Sequence, residues 1–159
     1  MGLALVTGTS TGIGLATAVA LARAGHTVAA TMRNLKGAAE IEKIAAAESL
    51  PIFVSQLDID DDASVAQGVA AIVASHGPVD ILVNNAGTSR AMAFETVTDE
   101  IWQADLEFKL FAAIRMSRLA WQGVKQRRYG RIINVLPTIA RRRPPRQRQP
   151  RCRARLEWP

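Results

Sequence analysis

The stretch TGTSTGIG, from Thr7 to Gly14, decides the fold. It overlaps the end of a short apolar run, LALVTG from Leu3 to Gly8, which is typical of a buried strand. An alanine-rich segment with helical spacing, Ile13–Ala24, follows and is closed by Gly25, a good C-cap residue. A glycine-rich turn at this place lets backbone N–H groups at the positive end of a helix approach a phosphate closely.

Strands and helices alternate through the following hundred or so residues. The sequence predicts strands at HTVAATMR, IFVSQLD, VDILVNNAG and RIINVL, and helices over LKGAAEIEKIAAAES, DDASVAQGVAAIVASHG and about Thr98–Arg127. This order predicts right-handed βαβ units, and hence an α/β fold with a parallel sheet that is covered on both faces. We expect one domain over residues 1–140, with five strands. The face beside the long helix and the edge at Ile132–Val135 are expected to be exposed.

Three motifs in order carry a family resemblance. The glycine spacing GxxxGxG differs from the GxGxxG of the usual dinucleotide fingerprint. However, TGxxxGIG after the first strand, Asp58 after the third strand and NNAG (Asn84–Gly87) at the end of the fourth together resemble the short-chain dehydrogenase/reductase family. The resemblance covers roughly Leu3 to Val135. It implies an α/β fold with a Rossmann-type, doubly wound parallel sheet, which is incomplete in this chain because only five strands are predicted.

The resemblance implies an NAD(P)-dependent oxidoreductase that transfers hydride between a nicotinamide cofactor and a carbonyl or alcohol substrate. It places the glycines around the pyrophosphate, Asp58 near the adenine and the NNAG motif beside the cofactor, and gives Thr7 a mainly structural role. The implied cofactor-binding residues are Gly8, Ser10, Thr11, Gly12, Ile13, Gly14, Arg33, Asp58, Ile59, Asn85, Ala86 and Gly87.

The end of the second strand bears on the choice of cofactor. An acid there binds the ribose 2′-OH of NAD and repels a 2′-phosphate, whereas an arginine accommodates NADP. The stretch here is ATMRN, with Arg33 and no acid. The sequence therefore favours NADP and leaves NAD open, because a surface arginine is also common without any such role.

The catalytic residues typical of the family are largely absent. Its asparagine position, seven residues after Trp102, holds Lys109, which is either a donor to a water chain or an ordinary solvated lysine. Leu136 and Pro137 stand where serines are common, with Thr138 the nearest hydroxyl. The family's Tyr-x-x-x-Lys pair is missing, because the one tyrosine, Tyr129, precedes the fifth strand and is followed four residues later by Ile133.

The segment from Arg141 to Pro159 has a different composition. It holds eight arginines and one acid, whereas the preceding residues hold twelve Lys and Arg against thirteen Asp and Glu. The net charge of +6 therefore comes from this tail. One interpretation is a disordered basic arm that binds nucleic acid or another polyanion, which the lack of interleaved aromatic residues makes less favoured.

A shifted reading frame is the favoured interpretation of the tail. Back-translation from the third codon base, starting at Arg146, permits SAPTSVSRAAGMA, which looks like a small-residue helix of some divergent family members. In that frame the catalytic Tyr position permits only Ala or Thr, and the Lys position cannot encode Lys. We therefore expect a chain shortened after about Leu136, with impaired or no turnover.

Further expectations concern an alternative function, partners, metals and location. A non-catalytic dinucleotide-binding module is the alternative to an enzyme. The Thr98–Arg127 helix is a candidate surface for a homo-oligomer, because in the resembled family it commonly packs against a partner subunit.

The two histidines, His26 and His76, have no metal-ligand spacing, so no metal site is expected. No secretory leader or membrane span is apparent, which predicts a cytoplasmic protein.

Overall fold

The computed structural model describes residues 1–87 and 92–136. Within these residues the chain forms the strands β1 (Leu3–Thr7), β2 (Thr27–Met32), β3 (Ile52–Gln56), β4 (Val79–Asn84) and β5 (Arg131–Asn134). The helices are α1 (Gly12–Arg23), α2 (Ala39–Glu48), α3 (Asp62–His76), α4 (Asp99–Leu106) and α5 (Ala112–Arg127). Short 3-10 turns cover Leu35–Gly37 and Phe94–Thr96, and a π-helical turn, here called the π-turn, covers Glu107–Phe111. The predicted elements are present, with ends shifted by a few residues.

All five described strands are parallel and lie in the order β3-β2-β1-β4-β5. The predicted Rossmann-type sheet is thereby confirmed. β1 lies in the centre, where Val6 is in register with Ala30 of β2 and with Val83 of β4. The chain moves outward from β1 in both directions, which leaves a crevice at the carboxyl ends of β1 and β4.

The sheet separates two apolar cores. Leu3 and Leu5 of β1 point to the core that α3 and α5 cover. Ala4 and Val6 point to the opposite core, which α1 and α2 cover. Because β1 is buried on both faces, it has a continuous apolar sequence rather than an alternating one.

Local signals explain where several helices begin and end. The side chain of Asp61 accepts hydrogen bonds from the backbone N–H groups of Ala63 and Ser64 and so caps α3. Gly25 follows α1 with a φ of 88°, a conformation that favours glycine. An exposed ion pair between Arg23 and Glu48 joins the ends of α1 and α2, and its hydrogen bonds lower the pKa of the Glu48 carboxyl.

The predicted single helix from Thr98 to Arg127 is wrong in one respect. Thr98 is the N-cap of α4, and the π-turn separates α4 from α5. Phe108 packs against the same core as three residues of α5 that recur every fourth position, Ala112, Met116 and Ala120. Residues four apart do not stay on one face of a regular α-helix, because it has 3.6 residues per turn. The wider π-turn keeps Phe108 on the same face as Ala112, Met116 and Ala120.

Large apolar side chains are exposed along α4 and the π-turn and at the edge of the sheet. They include Trp102, Leu106 and Leu110 along α4 and the π-turn, and Ile133 at the edge strand β5. Exposure was expected there, although Ile132 and Val135 are half-buried. No helix among the described residues has the length and apolar character needed to cross a membrane.

Candidate functional site

A cleft of about 1220 Å³ opens at the carboxyl ends of the strands. All residues predicted to bind a cofactor line this cleft except Gly12, and Lys109 of the π-turn lies on its wall. The parallel sheet brings them together, because the loops that follow neighbouring strands emerge at the same edge.

The loop after β1 requires glycine at two positions for different reasons. Gly8 has a φ of 70°, and a Cβ atom there would lie 2.8 Å from the Cα atom of Ala86. A Cβ atom on Gly14 would overlap the carbonyl oxygen of Gly8 and the side-chain amide of Asn85. The loop, the first turn of α1 and the segment after β4 are therefore packed backbone against backbone.

Thr7 holds this packing together. Its Oγ1 atom accepts hydrogen bonds from the backbone N–H groups of Asn85 (3.0 Å) and Ala86 (2.9 Å) and donates to the carbonyl oxygen of Val83 (3.3 Å). The hydroxyl thus uses all its hydrogen-bonding capacity in a side chain that is 2% exposed. The side-chain amide of Asn85 in turn donates to the carbonyl oxygens of Thr7 and Gly8. The structure gives Thr7 the structural role expected of it.

The N-terminus of α1 opens into the cleft without a side-chain cap. Thr11 is its N-cap residue and has an extended backbone, but its side chain accepts no hydrogen bond from the helix. Thr11 and Ile13 line the cleft, and Ile13 is exposed. The first N–H groups of a helix carry partial positive charge and need acceptors, so this end of the helix is suited to an anion.

The end of β2 forms a second part of the cleft wall. Arg33 is exposed on the rim, its carbonyl oxygen accepts a hydrogen bond from Gln56, and its guanidinium has no ion pair among the described residues. Thr31, two residues earlier, donates from its hydroxyl to the carbonyl oxygen of Val6 and accepts the backbone N–H of Gly8 at its own carbonyl oxygen. β2 and the glycine loop are therefore held in fixed relative positions.

The loop between β3 and α3, here called the Asp58 loop (residues 57–61), forms the third part. The backbone N–H of Asp58 donates to Ser64 Oγ at 3.0 Å, and the Asp58 carboxylate accepts the backbone N–H of Asp60. Ile59 lines the cleft and is largely buried in the core. The loop is thus tied to the first turn of α3.

Lys109 is paired with an acid, as in an ordinary surface lysine, and also lies on the wall of the cleft, where a donor to a water chain would be. Its Nζ atom lies 2.7 Å from an oxygen of Asp105, one turn earlier, so the ammonium group is paired. Its side chain also lines the cleft. Tyr129 is exposed at the opposite end of β5 from the cleft, beside Arg131, whereas Leu136 does line the cleft. Pro137, Thr138 and the tail from Arg141 lie outside the described residues.

The sequence analysis missed a polar cluster at the ends of β4 and β5. The side-chain amide of Asn84 donates to Asn134 Oδ1 at 2.9 Å and to Ser117 Oγ at 3.3 Å, and all three residues line the cleft. Asn84 and Asn134 are in register on neighbouring strands, so their proximity follows from the predicted sheet. Ser117 lies on α5 and has no comparable signal in the sequence.

Known proteins share this arrangement. A family model described as short chain dehydrogenase matches residues 2–148. The acetoacetyl-CoA reductase of Rhizobium meliloti is 40% identical over 134 residues, which are 84% of this chain and 54% of that protein. The 3-oxoacyl-(acyl-carrier-protein) reductase FabG of Escherichia coli is 37% identical over 84% of this chain and 53% of that protein.

A solved structure gives the same result. A variant of the actinorhodin polyketide ketoreductase with NADPH superimposes with a TM-score of 0.83 at 31% identity, and the match covers 90% of this chain and 56% of that one. The chain spans about half the length of the curated relatives it matches.

Replacing the Thr7 hydroxyl should weaken the fold at the cleft. In Thr7→Val the N–H groups of Asn85 and Ala86 lose their acceptor inside the protein, which should lower the free energy of unfolding by roughly 2–4 kcal/mol. Urea denaturation followed by circular dichroism measures this. Thr27→Val makes the same chemical change where no side-chain hydrogen bond is described, and should cost less than about 0.5 kcal/mol. Equal losses in the two variants would contradict the role of Thr7.

Proposed function

Because the chain belongs to the short-chain dehydrogenase/reductase family, we propose that it forms the cofactor-binding part of an NADP-preferring oxidoreductase. When bound, the nicotinamide cofactor supplies the hydride chemistry of such enzymes. The residues of this chain bind and orient the cofactor at the carboxyl edge of the sheet.

The uncapped N-terminus of α1 beside the glycine loop is the observation that carries the proposal. Gly8 and Gly14 bring the loop and the helix start close together, and the Thr11 side chain does not occupy the N–H groups of the first turn. A pyrophosphate would supply the missing acceptors and balance the helix dipole. The site therefore fits the diphosphate of a dinucleotide.

Arg33 supports the preference for NADP. Its guanidinium is exposed on the rim of the cleft and forms no ion pair within the described residues. A ribose 2′-phosphate carries a negative charge that an arginine binds through charge-assisted hydrogen bonds. The Asp58 loop, which follows the neighbouring strand β3, would lie against the adenine.

The relatives suggest a substrate class. Acetoacetyl-CoA reductase and 3-oxoacyl-(acyl-carrier-protein) reductase are named for substrates that are both 3-oxoacyl thioesters. We propose that the chemistry to which this cofactor site belongs is reduction of a 3-oxoacyl thioester to the 3-hydroxy compound. This reduction requires a hydride at the carbonyl carbon, which the bound cofactor would supply, and a proton donor for the carbonyl oxygen.

The proton donor is the part that this sequence does not supply. Tyr129 lies at the opposite end of β5 from the cleft, and the family's Tyr-x-x-x-Lys pair is absent from the sequence. Lys109, held by Asp105 at the cleft wall, would act as a hydrogen-bond donor to water or substrate in place of the family's asparagine. The chain is accordingly proposed to bind cofactor with negligible turnover.

The affinity for NADP should depend on Arg33. Arg33→Gln should weaken NADP binding by about tenfold and leave NAD binding unchanged. A tenfold loss is near the lower end of what one charge-assisted hydrogen bond contributes, because this contact is exposed to solvent. Isothermal titration calorimetry with both cofactors measures the two affinities. Lys36→Gln removes a neighbouring exposed cation and should change neither. Absence of NADP binding by the unaltered chain would refute the proposed function, and an equal effect of Arg33→Gln on both cofactors would refute the role of the arginine.

The missing proton donor should also be visible in kinetics. With NADPH and acetoacetyl-CoA, the 159-residue chain should show no loss of NADPH absorbance above the background rate, because the alkoxide would form without an acid to protonate it. Turnover that is proportional to protein concentration and disappears in Gly14→Val, where the side chain would collide with Gly8 and Asn85, would show that the chain is catalytic.

We also propose that copies of the chain associate through the exposed side of α4 and the π-turn. Trp102, Leu106 and Leu110 follow one another at four-residue spacing and are each about half exposed. Continuous apolar surface of this kind is typical of protein interfaces.

Association should weaken when this surface becomes polar. The double variant Leu106→Ser/Leu110→Ser should elute from size-exclusion chromatography with light scattering at a lower mass than the unaltered chain at equal concentration. Leu35→Ser, at a similarly exposed leucine on a 3-10 turn, should leave the mass unchanged. A monomeric unaltered chain, or an unchanged mass of the double variant, would contradict the proposed interface.

A further inference from the structure

Arg115 contacts two acids that lie next to different walls of the cleft. Its Nη1 atom lies 2.9 Å from Glu107 Oε2 in the π-turn, and its Nε atom lies 2.8 Å from Asp62 Oδ1 at the start of α3. The Nε atom is buried, and its N–H has no aligned acceptor among the described residues, so the contact with Asp62 is an ion pair rather than a directed hydrogen bond. A planar guanidinium has donors on separate edges and can contact both acids at once.

On one side, Arg115 spans the π-turn. Glu107 opens the π-turn, and the carbonyl oxygen of Glu107 accepts the N–H of Ala112, five residues later. Arg115 lies three residues beyond Ala112, so its ion pair with Glu107 bridges the whole segment. Because π-helical geometry is rare in isolation, side-chain contacts across it favour this conformation over a regular α-helix. The π-turn carries Phe108, Lys109 and Leu110 on the wall of the cleft.

On the other side, Arg115 reaches the Asp58 loop through the first residue of α3. Asp62 follows the loop directly, and the loop is tied to α3 by the hydrogen bond from the Asp58 N–H to Ser64 Oγ and by the Asp61 cap. The start of α3 and the loop therefore move as one unit. The Asp62 side chain is otherwise largely exposed, so its contact with Arg115 is a charged link from this unit to the π-turn. It adds to the apolar packing of Phe108 against the core that contains Ile59.

We propose that Arg115 is a positioning residue, which holds the π-turn wall of the cleft in register with the Asp58 loop. Given the proposed function, the Asp58 loop is the adenine side and the π-turn the reacting side of the bound NADP. Binding of the adenosine part would then stiffen the wall that carries Lys109, across a bridge of two ion pairs.

Hydrogen exchange read by mass spectrometry tests the bridge. In the ligand-free chain, Arg115→Met should make the π-turn amides exchange at least about fivefold faster, because local opening is no longer opposed by the ion pairs. NADP should slow exchange at the π-turn of the unaltered chain. Arg115→Met should still bind NADP within about threefold of the original affinity, since the glycine loop is intact, but without that slowing.

Two further variants sharpen the test. Asp62→Asn keeps the Glu107 contact, so it should leave the ligand-free π-turn protected and abolish only its response to NADP. Lys125→Met removes a cation from the last turn of the same helix and should change neither readout. Unchanged π-turn exchange in ligand-free Arg115→Met, or an undiminished NADP response in that variant, would overturn the proposal. Failure of the unaltered chain to bind NADP would instead refute the proposed function, and the ligand-free comparison would still decide the role of Arg115.

Discussion

The hydroxyl of Thr7 is the constraint on which the cleft depends. Thr7 is the last residue of β1, which lies between β2 and β4 in the sheet. The three hydrogen bonds of its hydroxyl join the end of β1 to the end of β4. A buried hydroxyl with every bond satisfied has one favourable position, so the two strand ends are fixed relative to each other. The crevice at the carboxyl ends of β1 and β4 is therefore a rigid feature of the fold.

The glycine loop follows from that fixed geometry. With the segment after β4 held against β1, little room is left beside Gly8, and the first turn of α1 must pass the Gly8 carbonyl without a Cβ atom at Gly14. The same closeness aims the uncapped end of α1 along the cleft. Positive potential at that end thus arises from backbone placement, and no cationic side chain is needed at the proposed pyrophosphate position.

Sequence reasoning located the sheet and the parts of the cleft that directly follow strands. Gly8, Arg33, Asp58 and Asn85 come after successive predicted strands, and parallel strands bring such residues to one edge. The π-turn and the contacts of Arg115 could not be predicted from the sequence. A residue inserted into a helix does not change the number of apolar residues in the segment. An ion pair between α5 and α3 depends on how the two helices pack, which local hydrophobic periodicity does not encode.

The proposed cofactor contacts and the exposed apolar residues of α4 and the π-turn lie in different parts of this fold. The groups that would hold a dinucleotide are fixed by bonds among β1, β2, β4 and the loops that follow them. Exposed apolar side chains lie along α4, the π-turn and the edge strand β5, and also at Ile13 beside the glycine loop. Contacts made by α4 and the π-turn would add surface at the cleft wall that carries Lys109 while leaving the glycine loop unchanged. The proposed cofactor contacts therefore do not depend on the family's Tyr-x-x-x-Lys pair, which is absent from the sequence.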